Sequence, residues 1–182
     1  SYLKDVDFVR CAKDIFLRKG EETEGLAERA VAELGLPMFV KPTDGGSSFG
    51  VTKVKTVEDF DKAVEYAFSE GNMLIAEAAV TGRELTCAVY YDGKDYVALP
   101  VIEILTDNEF FDYDAKYNGQ VEEITPARLA PSTAERVAKI TSAIYDILHC
   151  NGIIRIDYII SKNPDGTERI NMLEVNTTPG MT

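Results

Sequence analysis

Two β-branched runs near the C-terminus constrain this chain more than any other feature: Ile153-Ile154-Arg155-Ile156-Asp157-Tyr158-Ile159-Ile160 and Arg169-Ile170-Asn171-Met172-Leu173-Glu174-Val175-Asn176. The turn residues Asn163-Pro164-Asp165-Gly166 lie between them, so the pair reads as an antiparallel hairpin. Side chains alternate along a strand, which puts Arg155 with Asp157 on one face, and Glu174 with Asn176 on one face. If Asp165-Gly166 are the central pair of a two-residue turn, Asp157 faces Glu174 and Arg155 faces Asn176. A different loop would shift that register. Like charges set directly opposite destabilise a sheet. A cation held by the two carboxylates and the Asn176 amide oxygen removes the conflict. These are hard ligands of the kind that suit magnesium, which completes its shell with water and phosphate. The competing reading is a solvated polar face on which Arg155 neutralises Asp157.

The rest of the chain narrows the choice. With 182 residues and 45% hydrophobic content it can build one large domain or two small ones around a real core. A net charge of −12 repels nucleic acid and anionic membranes, so an anionic substrate needs a local cluster of cations or a metal. No apolar run reaches membrane-spanning length and no signal peptide stands at the start. Cys11, Cys87 and Cys150 are odd in number and widely spaced, which fits reduced thiols in a cytoplasmic protein and lacks zinc spacing. The one histidine, His149, falls at the end of an expected helix, where it would complement the helix dipole.

In chain order, Phe8 to Ala12 and Ile15 to Leu17 read as short extended pieces, and Glu24 to Leu34 as a helix stopped by Gly35. Met38 to Lys41 is a buried strand. Lys41-Pro42-Thr43-Asp44-Gly45-Gly46-Ser47-Ser48-Phe49-Gly50-Val51 follows, with glycines that let backbone amides close on an anion and serines that add donors. The alternative is an ordinary flexible hairpin tip. It is not a Walker loop. Thr56 caps an expected helix from Val57 to Ser69, ended by Gly71. Met73 to Glu77, Arg83 to Tyr91 and Tyr96 to Leu105 read as strands. The segment 106–119 is long for an unstructured loop and carries Lys116 and Tyr117, a candidate phosphate contact and a candidate closing residue. Gln120 to Thr125 is a strand, and Ser132-Thr133-Ala134-Glu135 a capping box for a helix running to His149. Many hairpin signals and few βαβ units argue for an α+β fold with antiparallel sheets. The chain starts without a methionine and stops soon after Asn176, which suggests an excised piece.

Taken together, Phe39-Val40-Lys41-Pro42, the Gly45-Gly46-Ser47-Ser48-Phe49-Gly50 loop, Leu74-Ile75-Ala76-Glu77, Gly82-Arg83-Glu84-Leu85-Thr86, Tyr113-Asp114-Ala115-Lys116-Tyr117, Arg155-Ile156-Asp157 and Glu174-Val175-Asn176-Thr177-Thr178-Pro179-Gly180 resemble the D-alanine–D-alanine ligase family of ATP-grasp enzymes. The likeness spans residues 36–182. It implies ATP enclosed by two α+β subdomains with antiparallel sheets, a smaller one in residues 1–80 and a larger one in 81–182. By motif match, Lys41 would contact the α- and β-phosphates, and Ser47 and Ser48 would cover the triphosphate. Glu77, Ala78, Ala79 and Val80 would line the adenine site, Glu84 would hold the ribose, and Lys116 would reach the γ-phosphate. Asp157, Glu174 and Asn176 would bind two magnesium or manganese ions. Arg155 and the Gly180 amide would stabilise the tetrahedral intermediate, with Ser48 and Tyr117 also at the reacting groups. Tyr117 matches a lid tyrosine associated with D-alanine as second substrate.

The resemblance further implies a cytoplasmic enzyme of peptidoglycan synthesis, homodimeric at full length, using D-alanine and ATP and binding neither nucleic acid nor membrane. The family's N-terminal domain, an upstream phosphate-binding lysine and a serine beyond the Pro-Gly turn are missing from this sequence, so turnover is expected to need them. The rivals are another ATP-grasp carboxylate–amine ligase and a nucleotide-binding module without turnover.

Overall fold

The computed structural model describes residues 9–43, 49–106 and 121–180, with Thr106 and Val121 as backbone only. Ser47, Ser48, Lys116 and Tyr117 lie outside these residues. The chain divides into two compact units.

In the first unit, residues 12–43 and 49–79 form a four-stranded antiparallel sheet in the order β1 (Asp14–Arg18), β4 (Met73–Ala78), β2 (Met38–Pro42), β3 (Thr52–Val54). Its alternating apolar residues Met38, Val40, Leu74 and Ala76 are buried with Leu26 and Ala30 of α1 (Leu26–Leu34) and Phe60, Ala63, Val64 and Ala67 of α2 (Phe60–Glu70). Gly35 ends α1 at φ 76°, its amide returning to the Val31 carbonyl. The second helix starts later than the sequence suggests. One 3-10 turn, Val57–Asp59, comes first, and the Thr56 hydroxyl bonds the Asp59 carboxylate at 2.9 Å instead of a backbone amide. Gly50, at φ 74°, carries the chain back toward β3; a Cβ there would meet Pro42 at 2.9 Å.

In the second unit, residues 9–11, 80–106 and 121–180 build an antiparallel sheet in the order β10 (Glu168–Asn176), β9 (Ile154–Lys162), β5 (Arg83–Tyr91), β7 (Ile102–Thr106), β8 (Val121–Ile124), with β6 (Tyr96–Ala98) pairing β5. One helix, α3 (Pro131–Ile147), packs on β5 and β6. Leu85, Cys87, Val89, Ile154, Ile156, Tyr158 and Ile160 face it and are buried with Val137, Ile144 and Tyr145.

Four local expectations change. Tyr96 to Leu105 is two strands, because Pro100 has no N–H to continue the ladder. The capping box does not form: Pro131 takes the first helical position, and the buried Thr133 hydroxyl donates to Glu168 at 2.5 Å. The helix ends at Ile147, two residues before His149, which sits at φ 49°. Residues 9–11 belong to the second unit, since the Met172 amide donates to the Arg10 carbonyl at 2.7 Å and Cys11 bridges Met172 in parallel. Among the described residues no helix is long and apolar enough to cross a membrane.

Candidate functional site

The hairpin brings Asp157 opposite Glu174 and Arg155 opposite Asn176, by a route the turn residues do not reveal. Its loop is longer than two residues: the Asn163 amide donates to the Thr167 carbonyl at 2.8 Å, and the Gly166 amide to the Asn163 carbonyl at 2.9 Å. Next to it Glu168 pairs Lys162 and Met172 pairs Tyr158, one residue out of the register a two-residue turn would impose. A β-bulge between Met172 and Glu174 then restores it.

The extra residue matters because it reverses side-chain parity. Ile170 and Met172 pack against the core under α3. Strict alternation would send Glu174 and Asn176 after them. With Leu173 inserted, Val175 takes the core position instead, and Glu174 and Asn176 emerge on the other face beside Arg155 and Asp157.

On that face Asp157 is the hub. Its Oδ1 accepts from the Thr86 hydroxyl at 2.8 Å and Arg155 Nε at 3.0 Å; its Oδ2 accepts from Arg155 Nη2 at 3.2 Å and Asn176 Nδ2 at 2.9 Å. Asn176 Nδ2 also donates to Glu174 Oε1 at 3.1 Å. Burial opposes the charge on Arg155, yet its bonds to Asp157 and the nearby Glu174 and Glu123 carboxylates raise its pKa overall. The neutralising pair and the converging carboxylates, alternatives in the sequence, are both present. Two carboxylates that both accept from the Asn176 amide nitrogen become, once that amide turns to present its oxygen, an all-oxygen donor set, which fits a hard divalent cation. Among the described residues no group of three or more His, Cys, Asp or Glu side chains could hold a metal by itself.

Glu84 lies on the same face of β5, two residues before Thr86. Gly180, four residues past the end of β10, is exposed. A hollow of about 750 Å³ lined by Arg10, Arg136, Lys139, Glu168 and Arg169 shares no residue with this carboxylate face.

In the first unit Lys41 and Glu77 stand on neighbouring strands, on the face away from α1 and α2, with Nζ and Oε2 at 2.6 Å. The Ala78 amide donates to the Lys13 carbonyl at 2.9 Å and the Ala79 amide to the Pro37 carbonyl at 3.2 Å, so neither N–H is spare for a base edge. Val80 follows as the first residue of the next stretch of the second unit.

Two features escaped the sequence reading. Thr86 is one; its polar side chain amid Leu85, Cys87 and Val89 was the available signal. The other is Glu103, 2% exposed and gripped by Arg83 (Nε–Oε1 3.0 Å, Nη2–Oε2 2.9 Å) and Arg128 (Nε–Oε2 2.9 Å, Nη2–Oε1 3.1 Å). Hydrogen bonds from Arg128 and then Arg83 outweigh burial and bring its pKa down to about 2.

Comparison with known proteins adds independent findings. The family described as "D-ala D-ala ligase C-terminus" matches residues 3–182. A D-alanine--D-alanine ligase of Phocaeicola vulgatus is 54% identical over 181 residues, 100% of this chain and 54% of its own length. The chain thus spans about half the length of the curated relatives it matches. The crystal structure of VanG D-Ala:D-Ser ligase from Enterococcus faecalis superposes with a TM-score of 0.79 at 34% identity, over 96% of this chain and 49% of that one. D-alanyl-alanine synthetase A from Vibrio cholerae gives 0.83 at 26%, over 100% and 54%.

Proposed function

Because the chain belongs to the D-alanine–D-alanine ligase C-terminal family and folds as an ATP-grasp structure, we propose that it is the nucleotide- and cation-holding part of an enzyme that joins two D-alanines using ATP. The observation that carries this reading is the gathering of Asp157, Glu174 and Asn176 beside Arg155 by a dedicated bulge.

In the proposed reaction the γ-phosphoryl group of ATP passes to the carboxylate of the first D-alanine. The amine of the second attacks the resulting acyl phosphate, and phosphate leaves. Such transfer depends mainly on positioning and charge neutralisation. Magnesium, when bound, would supply positive charge against the phosphates, held by Asp157, Glu174 and Asn176. Lys41, kept in place by Glu77, would supply a second positive charge at the α- and β-phosphates. Glu84 would take the ribose hydroxyls, and backbone carbonyls from Glu77 to Val80 the adenine edge. Arg155, oriented by Asp157, would donate to the oxyanion that develops at the attacked carbonyl, with the Gly180 amide as a second donor. A donor of that kind is worth about 3 kcal/mol at a developing oxyanion. Ser47, Ser48, Lys116 and Tyr117 keep the roles that the family likeness gives them. The smaller and larger ATP-grasp subdomains would correspond to the first and second units. We place the full-length protein in the cytoplasm, as a homodimer making D-alanyl-D-alanine for peptidoglycan.

Titration calorimetry of the chain with ATP and magnesium tests the binding half of the proposal. Asp157→Ala and Glu174→Ala should each abolish magnesium-dependent binding; unchanged magnesium dependence in either removes the cation assignment. Phosphate release by the complete protein tests the chemistry. Release with D-alanine is the expected result. Release only with another amino acid points to a different carboxylate–amine ligase, and binding without release to a module without chemistry.

A further inference from the structure

We propose that Thr86 is a positioning residue that decides which oxygen of Asp157 is offered to the divalent cation; this rests on the cation reading above. An ionised carboxylate has about four lone-pair directions, and four donors already occupy those of Asp157: Thr86 and Arg155 Nε on Oδ1, Arg155 Nη2 and Asn176 on Oδ2. A cation therefore has to displace a donor.

The donors are not equally replaceable. Asn176 can turn its amide end for end and present an oxygen where it now presents N–H. Arg155 has a long side chain that is 31% exposed and can shift. Thr86 can do neither. It is 7% exposed, on β5, directly paired with Asp157, and its β-branched side chain has few rotamers. Its hydroxyl keeps Oδ1 engaged in either state, which leaves Oδ2, on the Asn176 and Glu174 side, as the oxygen that faces the cation. Groups that orient metal ligands in this way typically change affinity by about 10- to 100-fold when removed.

The test is Mn2+ binding to the 182-residue chain in the presence of ATP, read as the enhancement of water-proton relaxation over that of Mn2+–ATP without protein. Thr86→Val keeps the shape and removes the donor; it should weaken Mn2+ binding by about 10- to 100-fold. Thr86→Ser should restore it, and Asp157→Asn should abolish it. Wild-type affinity in Thr86→Val alongside loss in Asp157→Asn overturns the role of Thr86 and leaves the cation site standing. Equal weakening in the Ser and Val variants also overturns it, because the hydroxyl would then not be the cause. No Mn2+ binding by the unsubstituted chain, or none lost in Asp157→Asn, removes the cation site and this inference with it.

Discussion

Gly82 leaves no room for one methyl group. A Cβ there would lie 2.2 Å from the Ile160 carbonyl oxygen and 2.7 Å from a methyl of Ile159. Glycine lets the chain enter β5 hard against β9, and the pairing that runs from Arg83–Ile160 to Val89–Ile154 sets Thr86 beside Asp157. Gly82→Ala should cost about 1–3 kcal/mol, the usual range for overpacking, because backbone must move to accept it. A urea midpoint within error of wild type would show that the strands do not approach this closely. Lys41 makes the opposite case. Its pair with Glu77 is partly exposed on both sides, and such pairs contribute about 1 kcal/mol or less. Lys41→Met should barely move the urea midpoint while weakening ATP binding, which calorimetry would register. A large loss of stability would make Lys41 a structural residue.

At the scale of the element, the bulge in β10 is what keeps the site in spite of the extra residue. Deleting Leu173 removes the extra residue and the bulge together, so Met172–Tyr158, Glu174–Asp157 and Asn176–Arg155 become one regular ladder, with Glu174 and Asn176 still on the Asp157 face and Val175 still on the core face. Magnesium-dependent nucleotide binding should survive with the hairpin still formed, as amide exchange in β9 would report; loss of binding from an intact hairpin would mean that the bulge does more than restore the parity. This also marks where the sequence is readable. The limits of β5, Arg83–Tyr91, follow from β-branched and apolar alternation between turn residues. The pairs Asp157–Glu174 and Arg155–Asn176 were expected too, from a turn that is in fact longer, and the bulge compensates. Nothing in Met172-Leu173-Glu174 announces an extra residue, since bulges answer to packing across the sheet. Thr86 shows in the sequence only as a polar residue in an apolar strand; the partner that gives it a role is 71 residues away and meets it only once β5 lies beside β9. Lys41 and Glu77 were both singled out, but their contact needs β2 next to β4.

For the molecule as a whole, charge sets how stability responds to acid, through two opposing effects. At neutral pH the chain carries −12, and this self-repulsion fades as pH falls toward the pI near 4.5, which favours the compact state. Glu103 works the other way. Its carboxyl titrates at about 2 when folded, held down by Arg128 and Arg83, against an ordinary value of 4.5. A depressed carboxylate contributes stability that is complete above the unfolded value and is lost as pH falls toward the folded one, because the unfolded chain takes up the proton first. Removing one partner of a buried charge cluster leaves the rest uncompensated, so Glu103→Gln should be less stable at pH 7, by up to about 3 kcal/mol. That gap should stay constant down to about pH 5 and close progressively toward pH 2. The exposed turn carboxylates Asp92 and Asp165, lowered by their local hydrogen bonds, act equally in both proteins and cancel in the comparison. Paired urea titrations between pH 7 and 2.5 would measure the difference directly. A gap that does not narrow in acid would mean that the Arg83–Glu103–Arg128 cluster does not hold its carboxylate ionised.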